Sequence, residues 1–217
     1  MVTYGVFMPV SQPRHTTSAA RDPQRSQERI LAAALKEFAD RGFAGARVNV
    51  IARRAAINKR MLYHYFGSKE GLFRAVLRRK MAERQAWREA TPEEPALSLP
   101  LWFDRACRDI NWVRLLQWEA LQTGTNRVID ETKRRTAAEA AIQRIRRRQV
   151  NGHLRRELDP RHLFLAMMGL TTYPIAFPQV ARLVTGRNVT DPVFQKERRA
   201  FLGKLAAALT PSKRNPQ

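Results

Sequence analysis

The chain reads RVNVIARRAAINKRMLYHYFGSKE between Arg47 and Glu70, and this segment holds two short helical patterns separated by a turn. Val48, Ile51 and Ala55 lie at i, i+3 and i+7, so they share one face of a first helix. Beyond the turn, Asn58 is a favourable N-cap residue for a second helix. The apolar stripe of that second helix consists of Met61, Leu62 and Phe66. The segment is therefore predicted to fold as a helix-turn-helix.

The polar side of the second helix carries side chains that can bind DNA. An α-helix fits the major groove and its first residues reach base edges, so Lys59 and Arg60 lie where cationic donors meet guanine acceptors. Tyr63, His64 and Tyr65 can donate hydrogen bonds to phosphate or place a ring against a thymine methyl group. These side chains indicate DNA binding, a function that requires no catalysed reaction.

A further helical pattern precedes this segment. Asp22-Pro23 is an N-cap followed by proline at the first helical position, which is a common way for a helix to begin. Ile30, Ala34 and Phe38 then recur every four residues until Gly42 ends the helix. This helix is expected to cover the other two.

Lys69 opens the next helix, directly after the stop and cap signals Gly67 and Ser68. A positive charge in the first turn opposes the helix dipole, which favours acids at that end. We therefore expect a DNA phosphate to lie close to Lys69.

A set of apolar, glycine and aromatic positions recurs in fixed order from about residue 25 to residue 75: Ile30-Leu31, Ala33-Ala34, Phe38, Gly42-Phe43, Val48, Ile51-Ala52, Ala55, Ile57, Leu62-Tyr63, Tyr65-Phe66, Lys69 and Leu72. In order and spacing it resembles the N-terminal domain of the TetR (tetracycline-repressor-like) family of transcriptional regulators. The resemblance implies a three-helix DNA-binding domain. In it, Lys59, Arg60 and His64 would face bases, and Asn58, Tyr63, Tyr65 and Lys69 would hold phosphates.

Two positions depart from the family pattern. Ala56 stands in the turn where the family usually has glycine, and a left-handed conformation would cost alanine about 1 kcal/mol unless the turn differs. Arg47 stands where the family has a Ser or Thr cap, and its side chain cannot accept a backbone N–H bond. We expect Arg47 to bind phosphate instead, and Asn49 to supply the missing acceptor.

The charge balance favours a polyanionic partner. The chain has 40 Lys and Arg against 19 Asp and Glu, a formal net charge of +21. Such a field attracts nucleic acid and speeds encounter with it. For the run Arg144 to Arg148, which is far along the chain from the helix-turn-helix, a solvated face is the favoured interpretation and DNA contact the alternative.

With 217 residues, 44% of them hydrophobic, the chain is long enough for two domains. We predict a flexible basic tail over residues 1–21, the DNA-binding domain over 22–68, a helical domain over 69–211 and a second tail over 212–217.

A single cysteine, Cys107, excludes an intrachain disulfide and fits a reducing compartment. No secretory or membrane-spanning segment is evident, so a cytoplasmic location is expected.

Periodicity stays helical beyond Lys69, and the whole fold is predicted to be all-α. Helices are expected over residues 69–89, 101–109, 112–122 and 130–150. Two more should follow the cap-plus-proline pairs Asp159-Pro160 and Asp191-Pro192. Breaks are expected over residues 91–100 and at Tyr173-Pro174.

The family resemblance implies that the second domain binds a small-molecule effector and forms a homodimer through its last two long helices. Two recognition helices related by a twofold axis would then enter successive major grooves of a palindromic operator. The alternative for each candidate dimer residue is packing within its own domain. The candidates are Leu163, Met167, Leu170, Phe194, Phe201 and Leu205.

Ligand cavities are lined mainly by apolar and aromatic groups with a few polar ones. On this basis the candidate lining residues are Trp87, Trp102, Phe103, Trp112, Trp118, Met167, Tyr173 and Phe177. Each of them, taken alone, is more often a core residue than a pocket residue. Glu119 and Arg114 are candidates for the polar groups that anchor a ligand. The alternative is that they form a pair on the protein surface with no functional role.

No enzymatic, metal or cofactor motif is evident. The four histidines are scattered, with none at metal-ligand spacing, and no phosphate-cradling glycine loop occurs. The favoured function is a ligand-responsive repressor. The main alternative is a sequence-tolerant architectural DNA-binding protein, and a second is a basic protein that binds RNA or anionic membrane.

Overall fold

The computed structural model describes residues 22–92, 94–123 and 128–211. Within these residues the chain forms ten α-helices and no strand, which confirms the predicted all-α class. The predicted tails, 1–21 and 212–217, lie outside the described residues. The helices are α1 (Pro23–Gly45), α2 (Val48–Arg54), α3 (Lys59–Phe66), α4 (Lys69–Glu89), α5 (Pro95–Arg108), α6 (Ile110–Thr123), α7 (Glu131–Val150), α8 (Pro160–Ala176), α9 (Pro178–Thr185) and α10 (Pro192–Ala208).

Asp-Pro pairs begin three of the helices, as the sequence predicted. Asp22, Asp159 and Asp191 each accept a hydrogen bond from the backbone N–H two residues ahead, at 3.0, 2.8 and 2.8 Å. The carboxylate satisfies an N–H that has no partner inside the helix, and proline at the next position has no N–H to satisfy. These starts are therefore fixed by local chemistry.

The first hydrophobic core lies among α1 to α4. Phe38 of α1, Ile51 of α2, Leu62 of α3 and Leu72 of α4 are fully buried in it. Leu115, from α6, belongs to the same cluster. The helix-turn-helix unit is thus packed directly against the second half of the chain.

The second core is built by α5 to α8 and α10. Phe103, Met167 and Leu202 are almost completely buried at its centre, on α5, α8 and α10 respectively. Three of its helices, α6, α7 and α8, also line the cavity described below.

The break predicted over residues 91–100 is shorter than expected, and the one predicted at Tyr173-Pro174 was wrong. α5 begins at Pro95 and contains Pro100, and α8 continues through Pro174 to Ala176. An interior proline removes one backbone hydrogen bond. Here each helix also buries large apolar side chains on either side of its proline, such as Leu99 and Phe103 around Pro100. Burial therefore outweighs the lost bond, and the bend comes later, where α8 and α9 meet at 89°.

Gly42 marks a kink near the end of α1, as its predicted helix-ending role suggested. Its φ is +68° and its ψ 177°, a backbone conformation outside the helical region. A Cβ at this position would lie 2.8 Å from the ring of Trp118 on α6. The same indole donates a hydrogen bond to the Ala39 carbonyl at 3.2 Å. The absence of a side chain at Gly42 is what allows α6 to pack this closely on α1.

Candidate DNA interface and ligand cavity

The turn between α2 and α3 contains a strained residue. Ala56 has φ +49°, the left-handed conformation that glycine usually supplies. Its carbonyl accepts a hydrogen bond from the Arg29 guanidinium at 3.3 Å, and the neighbouring Ile57 N–H donates to Ala52 O at 3.1 Å. These bonds hold the turn in place despite the strain.

Asn58 caps α3, and Leu62 anchors it. The Asn58 side-chain oxygen accepts from the N–H groups of Arg60 at 2.6 Å and Met61 at 3.2 Å. Leu62, one turn further on, is fully buried in the first core. The cap sets where α3 starts, and the buried leucine sets which face points outward. The oxygen of Asn58, one of the predicted phosphate-binding residues, is thus used within the chain.

The outward face of α3 is basic and aromatic. Lys59, Arg60, Tyr63 and His64 are all exposed. The Lys59 ammonium lies 5.8 Å from the centre of the Tyr63 ring, so the two form a cation–π pair. Tyr65 is half-buried beside His64, with ring centres 5.5 Å apart. The structure therefore presents the predicted base-facing residues together on one accessible helical surface.

The first turn of α2 is capped from another helix. Arg47 makes no side-chain cap, and Glu37 of α1 accepts from the Arg47 backbone N–H at 3.2 Å. The other oxygen of Glu37 binds Arg54 at 2.8 Å. Arg47 and Asn49 are exposed beside this cap, and the acceptor expected from Asn49 comes from Glu37 instead. Sequence reasoning missed Glu37, although it lies three residues after Ala34 on the buried face of α1.

Lys69 is compensated inside the protein. Its ammonium donates to the Ala44 carbonyl at 3.1 Å and lies 5.0 Å from the centre of the Phe43 ring. The opposing helix dipole is also offset by Glu70 in the same turn. These contacts account for a lysine at this position within the chain, and its contact with a DNA phosphate stays a prediction.

A cavity of about 540 Å³ lies between α4, α6, α7 and α8, and a smaller one of about 170 Å³ adjoins it and reaches α5. Gln85, Arg88, Ala137 and Phe164 line both. The larger is also lined by Arg78, Met81, Ala82, Trp112, Leu116, Lys133, Arg134, Ala138 and Met168. A run of alanines on α7 leaves this space open, because small side chains face it.

Only part of the predicted pocket set lines these cavities. Trp112 lines the larger one, and Trp102 and Met167 line the smaller. The rest do not: Phe103 is buried in the second core, Trp118 packs on Gly42, Trp87 lies against the Arg105 guanidinium, and Tyr173 and Phe177 stack on each other at the surface. An aromatic residue can fill a core, a helix contact or a surface equally well, and composition does not distinguish these.

Glu119 and Arg114 do not form an anchor with each other. Glu119 is buried, and its carboxylate accepts from the Arg134 guanidinium at 2.7 Å and from the Ile129 N–H at 3.2 Å. Arg114 instead binds Asp40 of α1 at 3.2 Å. Glu119 therefore positions Arg134, a cavity-lining residue, rather than touching the cavity itself.

The predicted dimer residues divide into two groups. Leu163, Met167 and Phe194 are buried within their own domain, and Leu170 is half-buried against the same core. Leu205 is half-buried, whereas Phe201 is 50% exposed. The first three are corrected to core positions, because α8 and α10 turn those faces inward.

The arginine run on α7 is not simply a solvated face. Arg148 is buried and donates to the Pro92 carbonyl at 2.8 Å, and Arg144 donates to the Thr91 carbonyl at 3.0 Å. Only Arg146 and Arg147 of the run are exposed. Two of these arginines thus hold the connection between α4 and α5.

No catalytic centre is apparent in the part of the chain that the structure describes. No three His, Cys, Asp or Glu side chains there are grouped to hold a metal ion. Burial, together with Asp104, raises the pKa of the Cys107 thiol to about 11, with Arg199 acting in the other direction. The thiol therefore stays protonated at neutral pH, unlike a cysteine nucleophile.

As to membrane spans, no single described helix has the length and apolar character to cross a bilayer. The bent pair α8 and α9 meets that test when taken together, by length and composition only.

An exposed basic recognition helix on a trihelical head, joined to a helical domain with a cavity that is partly open to solvent, is the architecture of a helix-turn-helix transcriptional regulator. Residues 30–76 match the family model of bacterial regulatory proteins of the tetR family, and residues 101–207 match that of the tetracyclin repressor-like C-terminal domain. The chain belongs to the TetR family and is a DNA-binding regulator of transcription.

Named relatives agree with this assignment. The chain is 31% identical over 172 residues to the HTH-type transcriptional repressor SCO4008 of Streptomyces coelicolor, covering 77% of this chain and 88% of that protein. It is 32% identical to the HTH-type transcriptional repressor NicS of Pseudomonas putida, covering 73% and 80%. The crystal structure of the putative regulator SCO4942 from Streptomyces coelicolor superposes with a TM-score of 0.68 at 29% identity, covering 86% of this chain and 98% of that one.

Proposed function

We propose that this protein is a repressor that binds a palindromic operator as a homodimer and is released by a small effector. Residues 22–68 serve as the DNA-binding domain, and residues 69–211 bind the effector and form the dimer. The observation that carries the proposal is the exposed face of α3, with Lys59, Arg60, Tyr63 and His64 on a helix fixed by the Asn58 cap.

The first residues of α3 read the bases. Arg60 can form two parallel bonds to guanine O6 and N7, and His64, one turn later, reaches the next part of the groove. We assign contacts with DNA phosphates to the residues around this face, which are Arg47, Asn49, Tyr63, Tyr65 and Lys69. Phosphate contacts set the register of the helix, and base contacts set its sequence preference.

The cavity receives the effector. Its volume of about 540 Å³ suits a small molecule, since ligand sites usually measure roughly 300–1,000 Å³. α4 connects the two functions, because it begins at Lys69 beside the DNA-binding head and carries Arg88 at the cavity. An effector that binds one arrangement of α4 better than another shifts the spacing of the two recognition helices and lowers operator affinity.

The test is a fluorescence anisotropy titration with two duplexes of equal length. One contains an inverted repeat from the DNA beside the protein's own gene, and the other is its shuffled sequence. We expect a preference for the repeat of about 10³ or more at physiological salt. Arg60→Ala should cost about 1–3 kcal/mol and relax the base preference. Arg108→Ala, at an exposed arginine on α5, is the matched control and should bind like the parent.

Equal affinity for both duplexes would favour the architectural alternative, in which charge alone drives binding. If Arg60→Ala bound both duplexes as the parent does, α3 would not be the reading helix. Addition of metabolite mixtures to the bound complex tests release: a regulator of the proposed kind loses affinity with at least one of them.

A further inference from the structure

The larger cavity has two walls of opposite character. α4 and α7 supply four cationic side chains, Arg78, Arg88, Lys133 and Arg134. α6 and α8 supply the apolar wall, made of Trp112, Leu116, Phe164 and Met168. Among the described residues that line this cavity, none is acidic.

Two of the four cations are paired with acids that lie behind the wall. Arg78 of α4 binds both carboxylate oxygens of Asp130, one of them at 2.8 Å. Arg134 of α7 binds the buried carboxylate of Glu119 at 2.7 Å. These pairs fix two guanidinium groups at the cavity and neutralise their charge.

The other two cations, Arg88 and Lys133, form no salt bridge with any described residue. The Arg88 side chain donates a hydrogen bond to a carbonyl on its own helix, Arg84 O, at 3.4 Å. Burial lowers the pKa of Arg88, the charge of Arg144 lowers it further, and Glu89 opposes both. A half-buried cation without a bound carboxylate is unfavourable, and an anionic ligand would relieve that cost.

We propose that this cavity binds an amphipathic anion, a carboxylate, phosphate or sulfonate carried on an aromatic or aliphatic body. The anionic group binds Arg88 and Lys133, and the body packs on Trp112, Phe164 and Met168. This assignment rests on the proposed effector function of the cavity and adds the chemical class of the ligand. Charge-assisted bonds to a partly desolvated guanidinium supply the discrimination against neutral analogues.

Two fluorescent probes with the same aromatic body separate charge from apolar contact. 8-Anilinonaphthalene-1-sulfonate carries a sulfonate that N-phenyl-1-naphthylamine lacks. Titrated into the full-length protein, the sulfonate should bind about tenfold or more tightly than the neutral amine. Decanoate should displace it, and decanol should not.

Arg88→Met keeps most of the side-chain length and removes the charge. We expect it to weaken sulfonate binding about tenfold and leave the neutral amine unaffected. Lys133→Met should act in the same direction, and it changes an exposed residue, so folding is not at risk. Arg108→Met, at an exposed arginine on α5 outside the cavity lining, is the matched control and should change neither probe.

Equal affinity for the two probes, or an Arg88→Met effect of the same size on both, would overturn the proposal. Operator binding is measured in the same samples, so that failure of the anionic ligand class can be distinguished from failure of the proposed function. If a neutral or cationic compound releases the operator and the anions do not bind, the effector function stands and the anionic class is wrong. If no compound of any charge binds while operator affinity is intact, the effector role of the cavity is wrong as well.

Discussion

At the scale of single residues, Glu37 shows how one side chain can organise the DNA-binding head. It is 5% exposed, yet its two oxygens serve separate partners on α2. One oxygen caps the first turn through the Arg47 N–H, and the other binds Arg54 near the last turn. A single carboxylate on α1 therefore fixes both ends of the helix that supports α3.

Glu37→Ala should lower the free energy of unfolding by about 1–3 kcal/mol, because the Arg47 N–H and the Arg54 guanidinium both lose their acceptor. Glu37→Gln keeps an amide oxygen and should recover part of that loss. Urea denaturation followed by circular dichroism measures both. Glu139→Ala, at an exposed glutamate on α7, is the control. If all three variants unfolded at the same urea concentration, the inter-helix cap would contribute nothing to stability.

At the scale of elements, the contact of α1 with α6 is a second junction between the head and the second domain, beside α4. Trp118 packs on Gly42 and donates to the Ala39 carbonyl, and Arg114, one turn earlier on α6, binds Asp40. This contact lies beside the cavity-lining residues Trp112 and Leu116 of the same helix. A shift of α6 on ligand binding would therefore be passed directly to α1.

Gly42→Ala tests this contact. The residue would have to adopt φ +68° with a Cβ 2.8 Å from the Trp118 ring. The backbone strain alone costs about 1–3 kcal/mol, and the clash adds to it. Differential scanning calorimetry should show a lower Tm for this variant.

Gly45→Ala is the matched control on the same helix. A Cβ there would have its nearest contact at 3.5 Å, with Arg41, and no positive φ is required. Its Tm should equal or slightly exceed that of the parent, since alanine is the better helix former. If Gly42→Ala had the same Tm as Gly45→Ala, the packing of α6 on α1 would not depend on the missing side chain at Gly42.

At the scale of the whole molecule, the outer faces of α8 to α10 remain apolar in the single chain. Leu165 on α8 is 58% exposed, Leu183 and Val184 on α9 are 78% and 79% exposed, and Phe201 on α10 is 50% exposed. Large apolar side chains left exposed on three successive helices are typical of a surface that another chain covers. They are the surface we assign to the proposed dimer. Phe201 belongs to the set expected from the sequence, and the other three replace its buried members Leu163, Met167 and Phe194.

Leu165→Asp and Phe201→Asp should convert the dimer to monomers, because each would bury two carboxylates at a symmetric contact. Sedimentation velocity measures the mass, and operator affinity should fall with it. Leu121→Asp, at a leucine that is 77% exposed on α6, is the matched control and should stay dimeric. If Leu165→Asp and Phe201→Asp both sediment as the parent does, the dimer contact lies elsewhere on the protein.

Most element boundaries could be predicted because their signals are local. α4 runs over Lys69–Glu89 as periodicity indicated, and Asp-Pro pairs begin α1, α8 and α10. The basic outer face of α3 also follows from spacing alone, since the buried Leu62 determines which side is exposed. Pro100 and Pro174 were misinterpreted because burial across the whole helix outweighs a local rule.

Most of the helices, the helix-turn-helix and the polarity of the recognition helix follow from the amino-acid order alone, because each depends on neighbours within about two turns. Which face of α8 points inward follows from the packed fold, since that helix is apolar on most of its surface and periodicity assigns it no side. The same holds for Glu37 with Arg54 and for Glu119 with Arg134, and for the cationic wall of the cavity. These depend on the approach of residues distant in the chain, which spacing does not encode.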